Sequence, residues 1–262
     1  IARIVNTEFL NRREVLDLKN IGIDEIISPE SLAAKEIKKL LKETALTDTF
    51  EFEKGILSMV GVTIDEDSEL LNQSLAETAY LNPERNFNTV AILRDNETII
   101  PHGENKFQLN DHAYFITQPD GLKRVMNLSG KKRTEVKNIM ILGGSKIGIQ
   151  TAAQLSGKYK IKLIELNKEK CFELADRLPD TLIINGDGRD VELLLEEGIQ
   201  NMDAFIAVTG NSETNIISSL VAKNNNVKKT IALVENIDYI HLSQNIGVDT
   251  MINKKLIAAS FI

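Results

Sequence analysis

From residue 137 onward, short unbroken apolar runs alternate with stretches of helical composition, and few folds accept that pattern. NIMILG (138–143), IKLIEL (161–166), TLIING (181–186), DAFIAVT (203–209) and KTIALV (229–234) read as buried strands. Helices are predicted over 146–157, 168–177, 190–197, 212–225 and 237–245. A strand that is apolar on both faces has to be covered on both, and helical crossovers between parallel strands supply the covers. The expected class is α/β: a doubly wound, Rossmann-like parallel sheet.

The beginning of the chain repeats the end of this segment. IARIVNTEFL (1–10) aligns with IALVENIDYI (231–240), pairing Ile1 with Ile231, Ala2 with Ala232 and Asn6 with Asn236. After a gap, NIGIDEIISPESLAA (20–34) aligns with NIGVDTMINKKLIAA (245–259), pairing Gly22 with Gly247, Asp24 with Asp249 and Ile27 with Ile252. Such density of matches in one order points to duplication. The opening residues then correspond to the tail of a first nucleotide-type domain. The absence of an initial methionine and the apolar ending at Ile262 suggest a piece of a longer chain.

Residues 50–130 follow a different plan. EFEKGILSMVGVTI, NTVAILRD, ETIIP and HAYFITQ are β-like runs separated by turn signals, and NQSLAE and LKRVMNL read as short helices. This is the pattern of a small α+β domain, and the polar, basic stretch LSGKKRTEV (128–136) is a plausible boundary. The predicted organisation is a domain remnant over 1–45, the α+β domain over 50–130, and a Rossmann-like domain over 137–262 truncated at its C-terminal helix.

The chemistry concentrates in ILGGSKIG, where a strand runs into Gly143-Gly144-Ser145-Lys146-Ile147-Gly148 and then a helix. In a dinucleotide loop the first glycine makes the turn, the second admits the pyrophosphate, and the third lets helix and strand pack closely. The helix N-terminus offers free N–H groups and partial positive charge to phosphates. Gly143 and Gly148 occupy the first and third places, but Ser145 stands in the second. Its hydroxyl can donate to a phosphate, crowd it, or simply cap the helix. Lys146 can reach a phosphate or remain an exposed helix-start residue. Glu165 ends the second strand 22 positions after Gly143, where an acid accepts from adenosine ribose hydroxyls and repels a 2′-phosphate, favouring NAD over NADP. The alternative is a solvated glutamate. Asp187, before Gly188, is a candidate adenine contact or a plain turn, and Thr209 and Gly210 follow the fourth strand.

Other chemistries find little support. The net charge of −7 argues against a generic nucleic-acid binder, and no apolar run has the length that direct membrane insertion needs. The single cysteine, Cys171, forms no internal disulfide and fits a reducing compartment. His102 and His112 have no acidic partner at triad or metal spacing, His241 reads as a surface or packing residue of the helix after the fifth strand, and there is no HExxH, CxxC or Walker lysine motif. No catalytic residue and no metal site is predicted.

Taken together, IAR…GIDEIISPE, AILRDNETIIPHGEN, ILGGSKIG, INGDGRD, IAVTGNSETN and IALV closely resemble the TrkA family of bacterial potassium-uptake subunits, built from KTN/RCK nucleotide domains and TrkA-C domains. The resemblance covers essentially the whole chain. It implies a cytosolic regulatory subunit, not an enzyme, that binds NAD or NADH, with ATP and ADP as further candidates. It also implies homo-oligomers and a peripheral place on the inner face of the membrane, docked on an integral-membrane potassium-translocating subunit. Carried over by position, the phosphate loop is Gly143 to Gly148, the ribose acid Glu165, the base contact Asp187 with Gly188, and the fourth-strand contacts Thr209 and Gly210. Arg3 resembles a phosphate-contacting arginine of the first nucleotide domain, and its counterpart in the second copy is Leu233. The competing readings are an NAD-dependent oxidoreductase and a non-binding structural adaptor.

Overall fold

The computed structural model describes residues 2–4, 20, 22–42, 46–52, 55–95, 97–130, 135–240 and 246–261. These divide into two compact units, one formed by residues 1–41 together with 136–262 and the other by 42–135. Parts of the duplicated segment (Ile1, 5–19, Ile21 and 241–245) lie outside the described residues, as do 131–134 of the expected linker.

The larger unit carries a six-stranded sheet. Its strands are β8 (Asn138–Leu142), β9 (Lys160–Glu165), β10 (Thr181–Asn185), β11 (Ala204–Ala207), β12 (Lys229–Leu233) and β13 (Thr250–Ile252), numbered after seven earlier strands given below. Their spatial order is β10-β9-β8-β11-β12-β13, and every pairing is parallel. That is the 3-2-1-4-5-6 order of a doubly wound fold, with its reversal between β8 and β11. Alternation along each strand divides the core. Ile139 and Ile141 of β8 join one apolar layer, whereas Met140 and Leu142 join the other.

The helices α3 (Lys146–Leu155), α4 (Lys168–Arg177), α5 (Val191–Glu196) and α6 (Ser212–Asn224) cover these faces. Each is started by its own sequence, because Ser145, Asn167, Asp190 and Asn211 all accept a first-turn N–H through their side chains. Strand β13 was not among the expected strands, since three residues are too few to show a period. At 237–245, residues 238–240 are helical and 241–245 lie outside the description.

The duplicated segment has the same pairing in both copies. β1 (Ala2–Arg3) pairs in parallel with β2 (Ile26–Ile27), setting Ala2 opposite Ile26, just as Ala232 stands opposite Met251. Helix α1 (Pro29–Lys42) then follows β2 as α7 (Lys254–Phe261) follows β13. Helix α1 buries Ala33, Ile37, Leu40 and Leu41 in the same apolar layer as Ile139, Ile206 and Ile231.

The smaller unit holds an antiparallel sheet of β3 (Asp48–Phe52), β4 (Leu57–Thr63), β5 (Phe87–Arg94), β6 (Glu97–Ile99) and β7 (His112–Thr117), ordered β3-β4-β7-β5-β6. Helix α2 (Pro119–Leu128) buries Val125 and Leu128 in its core with Phe87, Phe107 and Phe115. The helix expected at NQSLAE is corrected. Asn72 adopts φ +64°, and Leu71 and Ser74 form bridges to Phe107 and Lys106. Ser74 and Glu77 bond each other's N–H groups, at 2.7 and 3.2 Å, and start a short 3₁₀ turn over Glu77–Leu81 instead. No helix among the described residues is long and apolar enough to cross a membrane.

Candidate functional site

The C-terminal ends of β8, β9, β10 and β11 open onto a cleft of about 470 Å³, beside the reversal of strand order. Gly143 turns the chain out of β8 at φ +104°, a conformation that favours glycine, and its N–H donates to the Ile164 carbonyl at 2.8 Å. Helix α3 packs so closely behind this turn that a Cβ on Gly148 would lie 2.1 Å from the Gly143 carbonyl oxygen. The amides of Ser145, Lys146 and Ile147 stand at the helix start, where no intrahelical acceptor exists. Free amides at a helix start suit an anionic group.

Ser145 caps the helix: its Oγ accepts from the Gly148 N–H at 3.2 Å while the residue lines the cleft. Of the three roles open to that hydroxyl, capping is the one the geometry displays. The Lys146 side chain is exposed and absent from the lining, and Ile147 is buried in the apolar core. Any contribution of these two to the cleft comes through their main chain.

Glu165 is held in place on several sides. Its Oε2 accepts from the Gly144 N–H and the Lys170 ammonium, each at 3.0 Å, and its Oε1 accepts from the Asn167 N–H at 2.9 Å. Burial alone would raise its pKa. The bonds from Asn167, Lys170 and Gly144 outweigh burial and hold the carboxyl below the usual range. Asp187 is engaged by Arg189, whose Nη2 approaches Oδ2 at 2.6 Å and whose Nε and main-chain N–H both reach Oδ1 at 3.0 Å. These bonds likewise lower the Asp187 pKa. Gly188 supports the third strand end, with its carbonyl accepting from Ser218 at 2.9 Å.

At the fourth strand end, Thr209 is fixed by Asn215. The Asn215 Oδ1 accepts from the Thr209 N–H at 2.9 Å and its hydroxyl at 2.6 Å, while Nδ2 donates to the carbonyls of Thr209 and Leu233 at 3.1 and 2.8 Å. Gly210 completes that side of the cleft.

The structure thus gathers Gly143, Ser145, Glu165, Asp187, Gly188, Thr209 and Gly210 in the lining. It does not bring Arg3 there. That side chain is 60% exposed on the two-stranded sheet, 3.9 Å from Glu30, and Leu233 at the matching place in the second copy is buried. Lys170 and Arg189 line the cleft and were not among the expected site residues. Arg189 belongs to the GDGRD run and was legible there. Lys170 reaches the cleft only through the packing of α4, which leaves no local signal.

Cys171 is buried and its thiol donates to the Glu165 carbonyl at 3.4 Å. Burial pushes its pKa up, as for a packed thiol and not a nucleophile. His112 lies on β7 near Thr63, His102 lies in the smaller unit, and His241 is outside the described residues. Among the described residues no group of three His, Cys, Asp or Glu side chains is placed to hold a metal.

Residues 139–254 match the TrkA-N domain model and 59–130 the TrkA-C domain model. The Trk system potassium uptake protein TrkA of Haemophilus influenzae is 32% identical over 261 residues, covering 99% of this chain and 57% of that protein. Its namesake in Halomonas elongata is 31% identical over 253 residues, covering 97% and 55%. The chain therefore spans little more than half the length of these curated relatives. Among solved structures, the GsuK RCK domain superposes with a TM-score of 0.60 at 16% identity, over 96% of this chain and 53% of the other. A GsuK channel bound to NAD gives the same TM-score and identity over 96% and 44%. A match to the TrkA-C domain followed by a match to the TrkA-N domain makes the chain similar to the TrkA family over most of its length.

Proposed function

We propose that this chain is part of a cytosolic regulatory subunit of a potassium-uptake system, which binds an adenine-containing nucleotide in the cleft described above and catalyses no reaction. NAD or NADH is the preferred ligand, with ADP and ATP as further candidates. The observation that carries the reading is the start of α3: first-turn amides without intrahelical acceptors follow a turn closed by Gly143 and Gly148, and Gly143 and Ser145 of that turn line a cleft beside the order reversal. The relatives are named as Trk potassium-uptake proteins, and one fold neighbour is a channel bound to NAD. These names support a role in potassium uptake with a membrane partner; the homo-oligomer and the peripheral place on the cytoplasmic face of the membrane belong to the same proposal.

Regulation follows from differential binding. A nucleotide that fits one arrangement of the subunit better than another shifts the population toward it, and the membrane partner reads that shift. A ligand that fits both equally shifts nothing, however tightly it binds.

Titration calorimetry with NAD, NADH, ADP and ATP tests the proposal, with Glu165→Ala as the control. Saturable binding without turnover, weakened in the variant by about tenfold through loss of a charge-assisted bond, is the expected result. If none of the four binds, the cleft is no sensor and the chain acts as an adaptor.

A further inference from the structure

Asp187 was expected to meet the base of the nucleotide, but its carboxylate faces another partner. Both oxygens are bonded to the Arg189 guanidinium, and Oδ1 also accepts the Arg189 N–H. The geometry is a fork closed within three residues, which holds a flat cation beside the third strand end. The guanidinium stays open to the cleft, with the Arg189 side chain 66% exposed.

The neighbouring strand ends in a second unusual residue. Leu166 follows β9, is 64% exposed, and lines the same cleft. The two strand ends are tied together, because Asn185 Nδ2 donates to the carbonyls of Glu165 and Leu166 at 3.1 and 3.0 Å. A flat cation and an exposed aliphatic side chain therefore border one cleft from adjacent, coupled loops. A planar heterocycle satisfies both, since its π-face attracts a guanidinium and its apolar surface covers a leucine.

We propose that Arg189 and Leu166 bind the base of the nucleotide by its faces, and that Asp187 is a positioning residue that holds the guanidinium flat. The assignment rests on the nucleotide reading above and names the residues that recognise the base. It makes recognition sensitive to the presence of a purine and tolerant of its edge, because Asp187, the acid at the third strand end, is already engaged by Arg189.

Calorimetry on the whole chain separates this from its rivals, using NADH, ADP, GDP and inorganic pyrophosphate as probes. Arg189→Ala and Arg189→Lys should each weaken NADH and ADP by about fivefold while leaving pyrophosphate unchanged, since lysine keeps the charge and loses the plane. ADP and GDP should bind within about threefold of each other, as face recognition requires. Asp187→Asn should weaken both, and adding Arg189→Ala to it should cost nothing further, because the aspartate acts through the arginine. Full affinity in Arg189→Lys would overturn the assignment in favour of a phosphate contact. A strong ADP preference abolished by Asp187→Asn alone would overturn it in favour of direct reading by the acid. Nucleotide binding that Arg189→Ala leaves intact would sink this proposal alone, whereas no binding by the unaltered chain would sink it together with the function.

Discussion

The chain contains one strand–connection–strand–helix unit twice, and the two copies agree in pairing while differing in what surrounds them. Ala2 and Arg3 face Ile26 and Ile27 as Ala232 and Leu233 face Met251 and Ile252, and Ile4 donates to the Ile27 carbonyl as Val234 does to that of Ile252. Helix α1 of the first copy buries six residues, whereas α7 of the second has none buried. At the strand end the first copy has an exposed Arg3 and the second a buried Leu233. Backbone pairing is thus preserved while side chains are reassigned. Main-chain hydrogen bonds are indifferent to residue type, whereas burial is not.

The largest expected effect comes from exchanging the residues that differ. Leu233→Arg places an unpaired charge in the core layer and should cost about 4 kcal/mol in urea unfolding. Arg3→Leu, on an exposed side chain with a 3.9 Å ion pair, should change stability by less than about 0.5 kcal/mol. Equal costs would mean that the copies are not packed differently.

Next come the helices. Ile37→Ala empties a fully buried site and should destabilise by about 3 kcal/mol, while Leu256→Ala, on a residue 41% exposed, should cost less than about 1 kcal/mol. A large loss at Leu256 would show that α7 is covered in solution.

The caps should differ in the opposite direction. Asn253 accepts from the N–H groups of Lys255 and Leu256 and donates to the carbonyls of Val234 and Glu235. Ser28, its counterpart, accepts from the Ser31 N–H at 3.3 Å. Asn253→Ala should therefore cost about 2 kcal/mol and Ser28→Ala about 0.5 kcal/mol, read as shifts in melting temperature.

The smallest effect is a pH signature of the larger unit, outside the duplicated segment, at the end of β9. Glu165 titrates below the ordinary carboxylate range, so its stabilising contribution is complete above its unfolded pKa and is lost as pH falls through its folded one. The lead in thermal stability over Glu165→Gln should be widest near neutrality and close on acidification. A lead that widens in acid would contradict the bonding described for that carboxylate.

Much of the larger unit was legible because each strand is a continuous apolar run between helices that carry their own caps. Residues 229–234 and 161–166 announced strands that the structure places within a residue of those limits. β13 was not read as a strand because Thr250–Ile252 is too short for a pattern, although the duplication had already aligned Ile252 with Ile27. The false helix at 72–77 arose from good helix formers whose propensity lost to Asn72 in a left-handed turn and to bridges with Lys106 and Phe107. Around the cleft, strand ends were readable because the fold itself assigns them, and the GDGRD run carried Arg189. The partners of Glu165 and Asp187 were not readable. Which cation reaches which acid is decided by helix placement and rotamer, neither of which has a local code.

The four hydrogen bonds of Asn215 have a mechanical consequence. One carboxamide, itself fully buried, rivets the turn after β11 to the last carbonyl of β12, so the two strand tips behave as a single lever. Thr209 is joined to Leu233 through this carboxamide, and the next residues, Val234 and Glu235, are joined by their carbonyls to Asn253 at the foot of α7. Side-chain amides thus fasten the tips of β11, β12 and β13 to one another along that half of the sheet.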